Sequence, residues 1–223
     1  MKRILLINPN TSARSTEMML GIARLHVPAG VVLCGVCAAR GADMILALAV
    51  AKTEVVRFAS QAHQGCDGVI VSAFADPGAC RLRALLSVPV VGIGEAALRE
   101  AAAGGRRFGI ATTTPGLVRS IEAMVCRLGL DASFTGVRVP SGRDPLGLAS
   151  NPAEQYDQLA LAATRCVALD GAEVVVIGGG PLSDTAAGLR KSMQVAIIEP
   201  VPAAIRRMLA RLSGPEAALS TEG

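Results

Sequence analysis

Residues 65–91 read GCDGVIVSAFADPGACRLRALLSVPVV, and residues 171–197 read GAEVVVIGGGPLSDTAAGLRKSMQVAI. The two stretches pair glycine with glycine, the acidic Asp67 with the acidic Glu173, and one apolar run with another. An upstream pair also matches, RILLINPNTSARSTEMM from Arg3 and RFGIATTTPGLVRSIEAMV from Arg107. This duplication predicts two similar lobes whose corresponding loops face each other across a shared cleft.

Alternating strand-like and helical segments predict the fold class. Helical spacing, as in SARSTEMMLGIARL and NPAEQYDQLALAATRCVAL, separates short apolar runs. This order indicates an α/β protein with two pseudo-symmetric lobes, each a short, mainly parallel sheet flanked by helices, and a cleft between them. The eight predicted strands lie near residues 3–7, 31–36, 68–72, 88–92, 107–112, 134–139, 173–178 and 195–198.

The repeat also sets the expected lobe boundaries. The glycine-rich segment AAGGR at 102–106 separates the halves, so we expect a first lobe over 1–103 and a second over 104–200. Residues 201–223 are expected to hold a C-terminal helix that packs back on the first lobe, followed by a frayed tail.

Composition disfavours several classes of partner. The chain has 223 residues, and 51% of them are hydrophobic, which is enough to bury a core. A net charge of +4 without a basic stripe, with only 2% aromatic residues, argues against nucleic acid. The apolar runs are shorter than the ~18 residues that span a bilayer. Asn8 interrupts the first run too early for a signal peptide, so we expect no membrane partner and a cytoplasmic location.

The six cysteines predict reduced thiols, since no export signal is recognised. Cys34 and Cys37 form a C-x-x-C inside the strand-like run VVLCGVCAA, where positions three apart point to opposite faces. Buried, inert thiols are therefore favoured over a metal clamp or a redox turn. The two histidines, His26 and His63, have no paired Cys/His spacing, so no metal site is expected.

Four loops that follow predicted strands contain the candidate site residues. Ligands of open α/β sheets bind beyond the carboxyl ends of the strands. By the repeat, the loop after the first strand pairs with the loop after the fifth, and the loop after the third with the loop after the seventh. The residues expected to contact a substrate are Asn8, Asn10, Thr11, Ser12, Ser72, Ala73, Phe74, Thr112, Thr113, Gly179, Gly180 and Pro181.

The Asn8 and Thr112 loops lie where helices are predicted to begin. Backbone N–H groups and the helix dipole attract a carboxylate or another anion at such places. The simpler interpretation is a helix N-cap by Thr11 or Ser12, which is compatible with ligand contact. The loops at Ser72 and 178–184 instead offer small residues and backbone amides to an oxyanion. A nucleotide is disfavoured, because neither loop matches G-x-x-x-x-G-K-[ST] or G-x-G-x-x-G.

An ordered set of motifs resembles the aspartate/glutamate/hydantoin racemase superfamily, especially its hydantoin racemase branch. The motifs are INPNTS from Ile7, F-x-DPG from Phe74, VPVVGIGEAA from Val88 and the glycine-rich loop from Gly178, so the resemblance covers nearly the whole chain. It implies two pseudo-symmetric lobes with a central cleft, no cofactor, no metal and a homo-oligomer. It also implies proton exchange at the carbon next to the carbonyl of a small-molecule substrate.

The resemblance further implies two catalytic cysteines, one in each lobe. One thiolate removes a proton while the opposite thiol delivers another. The family's cysteine positions correspond to Ala73 and Gly179, which are also partners in the internal alignment. Neither residue carries a thiol, and the nearest cysteine along the chain is Cys80. Racemisation by two thiols is therefore not available unless another group moves in.

Other side chains are weaker candidates for proton transfer. Asp76 belongs to the family pattern, but a cap on the following helix is the simpler interpretation. Glu95 follows a strand and is expected to face the cleft. Ser72 and Ser183 flank the substituted positions and could donate hydrogen bonds, yet they lack a histidine partner for nucleophilic catalysis.

The sequence leaves alternative functions open. The first is a cofactor-independent isomerase-like enzyme acting next to a carbonyl of a hydantoin, amino acid or carboxylate, or a lyase or hydrolase derived from that scaffold. The second is a protein that binds such a compound without catalysis. A nucleotide-binding α/β protein is a third, weaker hypothesis.

Overall fold

Two four-stranded parallel sheets form the fold. The computed structural model describes residues 1–38, 55–57 and 64–214. The strand orders are β2-β1-β3-β4 and β6-β5-β7-β8, and all the pairings are parallel. The predicted α/β class and the eight predicted strands are confirmed. The strands are β1 (Lys2–Asn8), β2 (Val31–Cys37), β3 (Gly68–Val71), β4 (Val90–Gly92), β5 (Phe108–Ala111), β6 (Phe134–Arg138), β7 (Val174–Ile177) and β8 (Ala196–Ile198).

Helices connect and cover the strands. Short 3-10 turns follow β5 at Pro115–Leu117 and β7 at Gly180–Leu182, in two of the four loops where a ligand is expected. His63 and the chain beyond Gly214 lie outside the described residues. The labelled helices are α1 (Ala13–Arg24), α2 (Ala79–Leu85), α3 (Ile93–Ala101), α4 (Val118–Arg127), α5 (Pro145–Ser150), α6 (Pro152–Ala168), α7 (Ser183–Ser192) and α8 (Pro200–Ser213).

The repeat is visible in individual hydrogen bonds. The backbone N–H of Arg3 donates to the Asp67 carboxylate at 2.7 Å, and the N–H of Arg107 donates to the Glu173 carboxylate at 2.8 Å. In return, the N–H groups of Asp67 and Glu173 donate to the carbonyls of Arg3 and Arg107 at 2.7 and 2.8 Å. The two acidic residues that the repeat aligns therefore bind the start of the first strand in each lobe, β1 and β5.

One apolar core joins the two lobes. Alternate side chains of β1, such as Ile4 and Leu6, face this core, while Leu5 and Ile7 pack in a separate cluster on the other face of the sheet. Residues of β5 and β7 enter the joint core from the second lobe. Helix α8 contacts α1, α3, β3 and β4, so the C-terminal helix packs on the first lobe. The burial of both sheet faces accounts for their near-continuous apolar sequences.

The backbone of β5 lies close to α6 at Gly109. A Cβ added to this glycine would lie 2.8 Å from the Cβ of Cys166 and 3.1 Å from the Oγ1 of Thr135. Both neighbouring atoms are near their own backbone and have little freedom to move. The approach of the helix to the sheet therefore depends on a residue without a side chain.

We predict that Gly109→Ala destabilises the protein. Overpacking of this kind lowers the free energy of unfolding by about 1–3 kcal/mol, which urea denaturation can measure. The control is Gly21→Ala in α1, where no atom lies within 4 Å of the added Cβ. An exposed helical glycine replaced by alanine should gain up to about 1 kcal/mol. A Gly109→Ala variant as stable as the wild type would contradict the proposed packing constraint.

Candidate functional site

The loops after β3 and β7 leave their sheets in the same way. The backbone N–H of Ser72 donates to the Ile7 carbonyl at 2.9 Å, and the N–H of Gly178 donates to the Ala111 carbonyl at 2.8 Å. Each bond joins the end of a strand to the first strand of its lobe. The two loops therefore start from equivalent points at the carboxyl edges of the sheets.

These two loops touch across the lobes. A Cβ added to Gly180 would lie 3.0 Å from the Ser72 carbonyl oxygen and 2.6 Å from the Sδ of Met19. Consecutive Cα atoms are 3.80 Å apart, so Ala73 and Gly179 lie within about 15 Å of each other. The opposition of these two residues across one ligand stays a prediction, and this contact is compatible with it.

The two Asn side chains after β1 hold their own loop. Asn8 is buried and donates through Nδ2 to the Thr16 hydroxyl at 3.0 Å, while its Oδ1 accepts from the N–H of Asn10 at 3.3 Å. The Asn10 side chain accepts from the N–H of Ser12 at 3.0 Å. Ser12 caps α1 by accepting from the N–H of Ser15 at 3.1 Å. The N-cap interpretation is thus confirmed for Ser12, and substrate contact by this loop stays a prediction.

Hydroxyl groups tie the site loops together in both lobes. Thr112 is fully buried and donates to the Gly178 carbonyl at 2.7 Å, and Ser72 donates to the Ile7 carbonyl at 2.9 Å. Ser183 donates to the Gly180 carbonyl at 2.6 Å. Because both serine protons go to backbone carbonyls, neither hydroxyl is paired with a base that could activate it as a nucleophile.

The backbone of the first-lobe loop has an uncommon conformation. Ala75 and Asp76 have positive φ angles of 74° and 52°, which are uncommon for residues other than glycine. Within the described part of the chain, the N–H groups of Phe74 and Gly180 have no hydrogen-bond acceptor. Free N–H groups in such turns can bind the oxygen of a carboxylate or an enolate.

Asp76 caps α3, and the expectation that it caps the following helix α2 is wrong. Its carboxylate accepts from the N–H of Gly94 at 2.7 Å and from the N–H of Glu95 at 2.6 Å. The N-cap position of α2 is Gly78, without a side-chain cap. A Cβ added to Gly92 would lie 2.0 Å from the Asp76 Cγ, so the carboxylate needs a glycine there. The two hydrogen bonds of Asp76 join the loop that contains Ala73 to the start of α3.

Burial raises the pKa of Asp76 to about 6, although the two N–H donors act in the opposite direction. Desolvation of a carboxylate disfavours its charged form. A carboxyl group with such a pKa would suit proton transfer, but the main chain of α3 occupies both of its oxygens. The geometry therefore favours a structural role in shaping the loop.

Glu95 is an ion-pair hub, which argues against its expected role as a base facing the cleft. Its carboxylate contacts Arg83 at 2.7 Å, Arg99 at 2.9 Å and Arg207 at 3.5 Å. Burial alone would raise the pKa of Glu95, but the hydrogen bonds and charges of Arg99 and Arg83 hold it below its usual value. A carboxylate stabilised in this way is a poor proton acceptor.

None of the six cysteines stands at either family position. All six are free. Cys34 and Cys37 lie in β2 as predicted, but they are only half-buried, which corrects the expectation of buried thiols. Burial raises the pKa of Cys166 to about 12, so this thiol is inert. Cys80 is exposed in the first turn of α2.

Residues 1–38, 55–57 and 64–214 contain neither a metal-binding cluster nor a membrane-spanning helix. Histidine, cysteine and acidic side chains form no group of three or more that could hold a metal ion in these ranges. In the same ranges, no helix is long and apolar enough to cross a membrane.

The fold and the paired loops define a two-lobed α/β protein with a parallel sheet in each lobe. A model of the Asp/Glu/Hydantoin racemase family matches residues 4–208. The chain belongs to this family. It is similar to the hydantoin racemase of Rhizobium meliloti, with 31% identity over 208 residues that cover 90% of this chain and 85% of that protein.

Further relatives agree with this assignment. The hydantoin racemase of Paenarthrobacter aurescens is 28% identical over 212 residues, which cover 92% of this chain and 88% of that protein. The crystal structure of allantoin racemase from Pseudomonas fluorescens has a TM-score of 0.87 and 29% identity, covering 93% of this chain and 89% of that chain. The predicted family is confirmed.

We predict that the penalty of Asp76→Asn depends on pH. The pKa of Asp76 in the folded state lies above the ordinary value of 3.8. The stability that the Asp76 carboxyl contributes is therefore fully present below pH 3.8 and is lost as the pH rises through about 6. The amide NH2 cannot accept from either N–H group, whereas the hydroxyl oxygen of the protonated carboxyl can, so the substitution costs about 1–3 kcal/mol at low pH. The loss of unfolding free energy should shrink between about pH 4 and pH 7.

Urea denaturation across this pH range measures the effect. The control is Asp131→Asn, which changes an exposed carboxyl in the 3-10 turn before β6. It measures the effect of replacing an exposed carboxyl by an amide away from the site loops. A penalty for Asp76→Asn that grows with pH would place the folded-state pKa of Asp76 below its ordinary value and contradict the account.

Proposed function

We propose that the chain is a cofactor-independent, hydantoin racemase-like enzyme. It binds a small hydantoin, amino-acid or carboxylate compound between the loops after β1, β3, β5 and β7. It acts at the carbon next to a carbonyl without the two-thiol exchange that the resemblance implies. The observation that carries this proposal is the approach of Gly180 to the Ser72 carbonyl, which brings the corresponding loops of the two lobes into contact.

Ligand binding is supported by the backbone geometry of the cleft loops. The N–H groups of Phe74 and Gly180, one from each lobe, have no acceptor in the described part of the chain. Two such donors from opposite lobes would hold a carboxylate or stabilise the oxygen of an enolate. The half-buried Thr11 and Ser12 would contact the remaining polar edges of the compound.

The absence of thiols at the two family positions limits the chemistry. The methyl group of Ala73 and the hydrogen of Gly179 cannot transfer protons. The neighbouring serine hydroxyls donate to backbone carbonyls, and Asp76 accepts from the start of α3. A lyase reaction in which negative charge develops on a carbonyl oxygen needs the N–H donors and a single proton-transfer group, and a hydrolase needs an attacking water as well.

The alternative is a binding protein that has lost catalysis. It is favoured by the same commitment of hydroxyl and carboxylate groups to structural hydrogen bonds. A homo-oligomer and a cytoplasmic location stay expectations from the sequence.

Binding and proton exchange can be measured on the same samples. We predict that calorimetry detects stoichiometric binding of at least one compound among 5-substituted hydantoins, allantoin and amino acids. Proton NMR in D2O then follows the hydrogen next to the carbonyl, against a buffer control because hydantoins exchange spontaneously. Exchange or turnover above that control supports the enzyme. Binding without it supports the non-catalytic alternative, and no binding contradicts both.

A paired substitution tests the geometry of the two family positions. Gly179 has a φ of 174°, which any residue adopts, and an added Cβ would meet only the flexible Leu182 side chain at 3.0 Å. We predict that Ala73→Cys with Gly179→Cys increases racemisation of a bound hydantoin about 100-fold or more, since positioned acid–base groups contribute roughly 10²–10⁴-fold. Polarimetry measures the rate.

The matched control is Ala73→Ser with Gly179→Ser, which adds side chains of similar size without a thiolate. Each single cysteine variant should gain much less than the pair, because inversion needs groups on both faces. Equal rates for the cysteine and serine pairs would show that the two positions do not face one substrate.

A further inference from the structure

A groove lined by charged side chains lies between helices α3 and α8, apart from the loops at the carboxyl ends of the strands. Its volume is about 280 Å³. Arg99 comes from α3, Arg206 and Arg207 come from α8, and alanines of both helices line the remaining wall. Spacings of three and four residues place these side chains on one face of each helix.

Positive charge exceeds negative charge around this groove. Glu100 and Arg206 form a bidentate pair at 2.7 and 3.0 Å, which is neutral as a unit. Glu95 is shared by Arg83, Arg99 and Arg207. One carboxylate therefore serves three guanidinium groups, and the charge of Arg211 also acts on Arg207.

The guanidinium groups keep donors for a further partner. Arg99 donates to Glu95 through Nε, and Arg207 reaches the same carboxylate at 3.5 Å, a long contact. Within the described residues, the other N–H groups of these two arginines have no acceptor. Their side chains are 41% and 32% exposed, so solvent and ligands can reach them.

The arginines also repel one another. Burial lowers the pKa of Arg207, and the charges of Arg211, Arg99 and Arg83 lower it further, against the opposite effect of Glu95. An anion with two or more charges would remove this repulsion while it accepts the free N–H groups. Guanidinium forks match the spacing of oxygens in phosphate and carboxylate groups.

We propose that the groove between α3 and α8 binds a compact oxyanion with at least two negative charges, of the phosphate or pyrophosphate type. Arg99 and Arg207 hold its oxygens by forked hydrogen bonds, and Arg206 contributes from the pair with Glu100. The alanine-lined wall gives the anion room beside the helices. This site is separate from the cleft of the proposed function, so each can fail without the other.

Calorimetry with pyrophosphate, inorganic phosphate and citrate at low ionic strength tests the proposal on the full chain. Citrate separates a general preference for oxyanions from a preference for phosphate groups. The wild type is expected to bind pyrophosphate more tightly than phosphate. Binding should weaken as salt is raised, because partly exposed charges are screened.

Two variants report on the groove. Arg99→Gln removes one guanidinium group and should weaken pyrophosphate binding about tenfold or more, as expected for the loss of charge-assisted hydrogen bonds. The exposed Arg127→Gln in α4 is its control and should bind as the wild type does.

Ala210→Glu changes an exposed groove residue and places a carboxylate at the anion site. It should abolish binding, whereas Ala123→Glu, an exposed alanine of α4, should not.

Because Ala210 is exposed, its replacement tests the site even if Arg99→Gln does not fold. No binding of any of the three anions by the wild type would overturn the proposal. Equal affinities of Ala210→Glu and Ala123→Glu would also overturn it. So would a change of molecular mass in light scattering for Ala210→Glu without added anion, since the arginines would then serve an interface between copies of the chain.

Discussion

The geometry of the candidate site depends on the close approach of the two lobes at Gly180. Any side chain at this position would enter the space of Met19 and the Ser72 carbonyl. One apolar core, to which both sheets and helices α3 and α8 contribute, lies beneath this contact. The cleft is therefore formed by loops whose supporting strands share a single packed interior, which limits how far the lobes can separate without exposing apolar surface.

The scaffold around the missing thiols is maintained by groups other than the thiols. Buried amides at Asn8 and Asn10, the Thr112 hydroxyl and the Asp76 carboxylate hold the loops by hydrogen bonds to the backbone. These bonds do not involve positions 73 or 179. The shape of the site can therefore persist when the chemistry at its centre changes, which is why family membership and catalytic mechanism are separate questions for this chain.

Hydrophobic periodicity and the internal repeat predicted the parts of the fold that depend on residues close together along the chain. The strands, their parallel orientation and the equivalence of Asp67 and Glu173 in the two lobes were accessible because each lobe repeats the same signals. The cap that Asp76 forms was not, because its target helix begins after the next strand. Its repeat partner is Leu182, so the second lobe offers no parallel.

Contacts between distant elements explain the other differences. Glu95 has its predicted place after β4, but Arg83 and Arg207 come from α2 and α8, and sequence spacing does not reveal their convergence. The need for Gly92 beside Asp76 was likewise hidden, although the close succession of Gly92 and Gly94 was a usable signal. Residues that act through tertiary contacts were therefore the ones that sequence reasoning assigned poorly.

A crystal structure with a bound 5-substituted hydantoin tests the central claim most directly. The account predicts that the carbon next to the carbonyl lies between Ala73 and Gly179, with a carbonyl oxygen near the N–H groups of Phe74 and Gly180. A ligand bound elsewhere, or Ala73 and Gly179 on surfaces that no single small molecule touches, would contradict it.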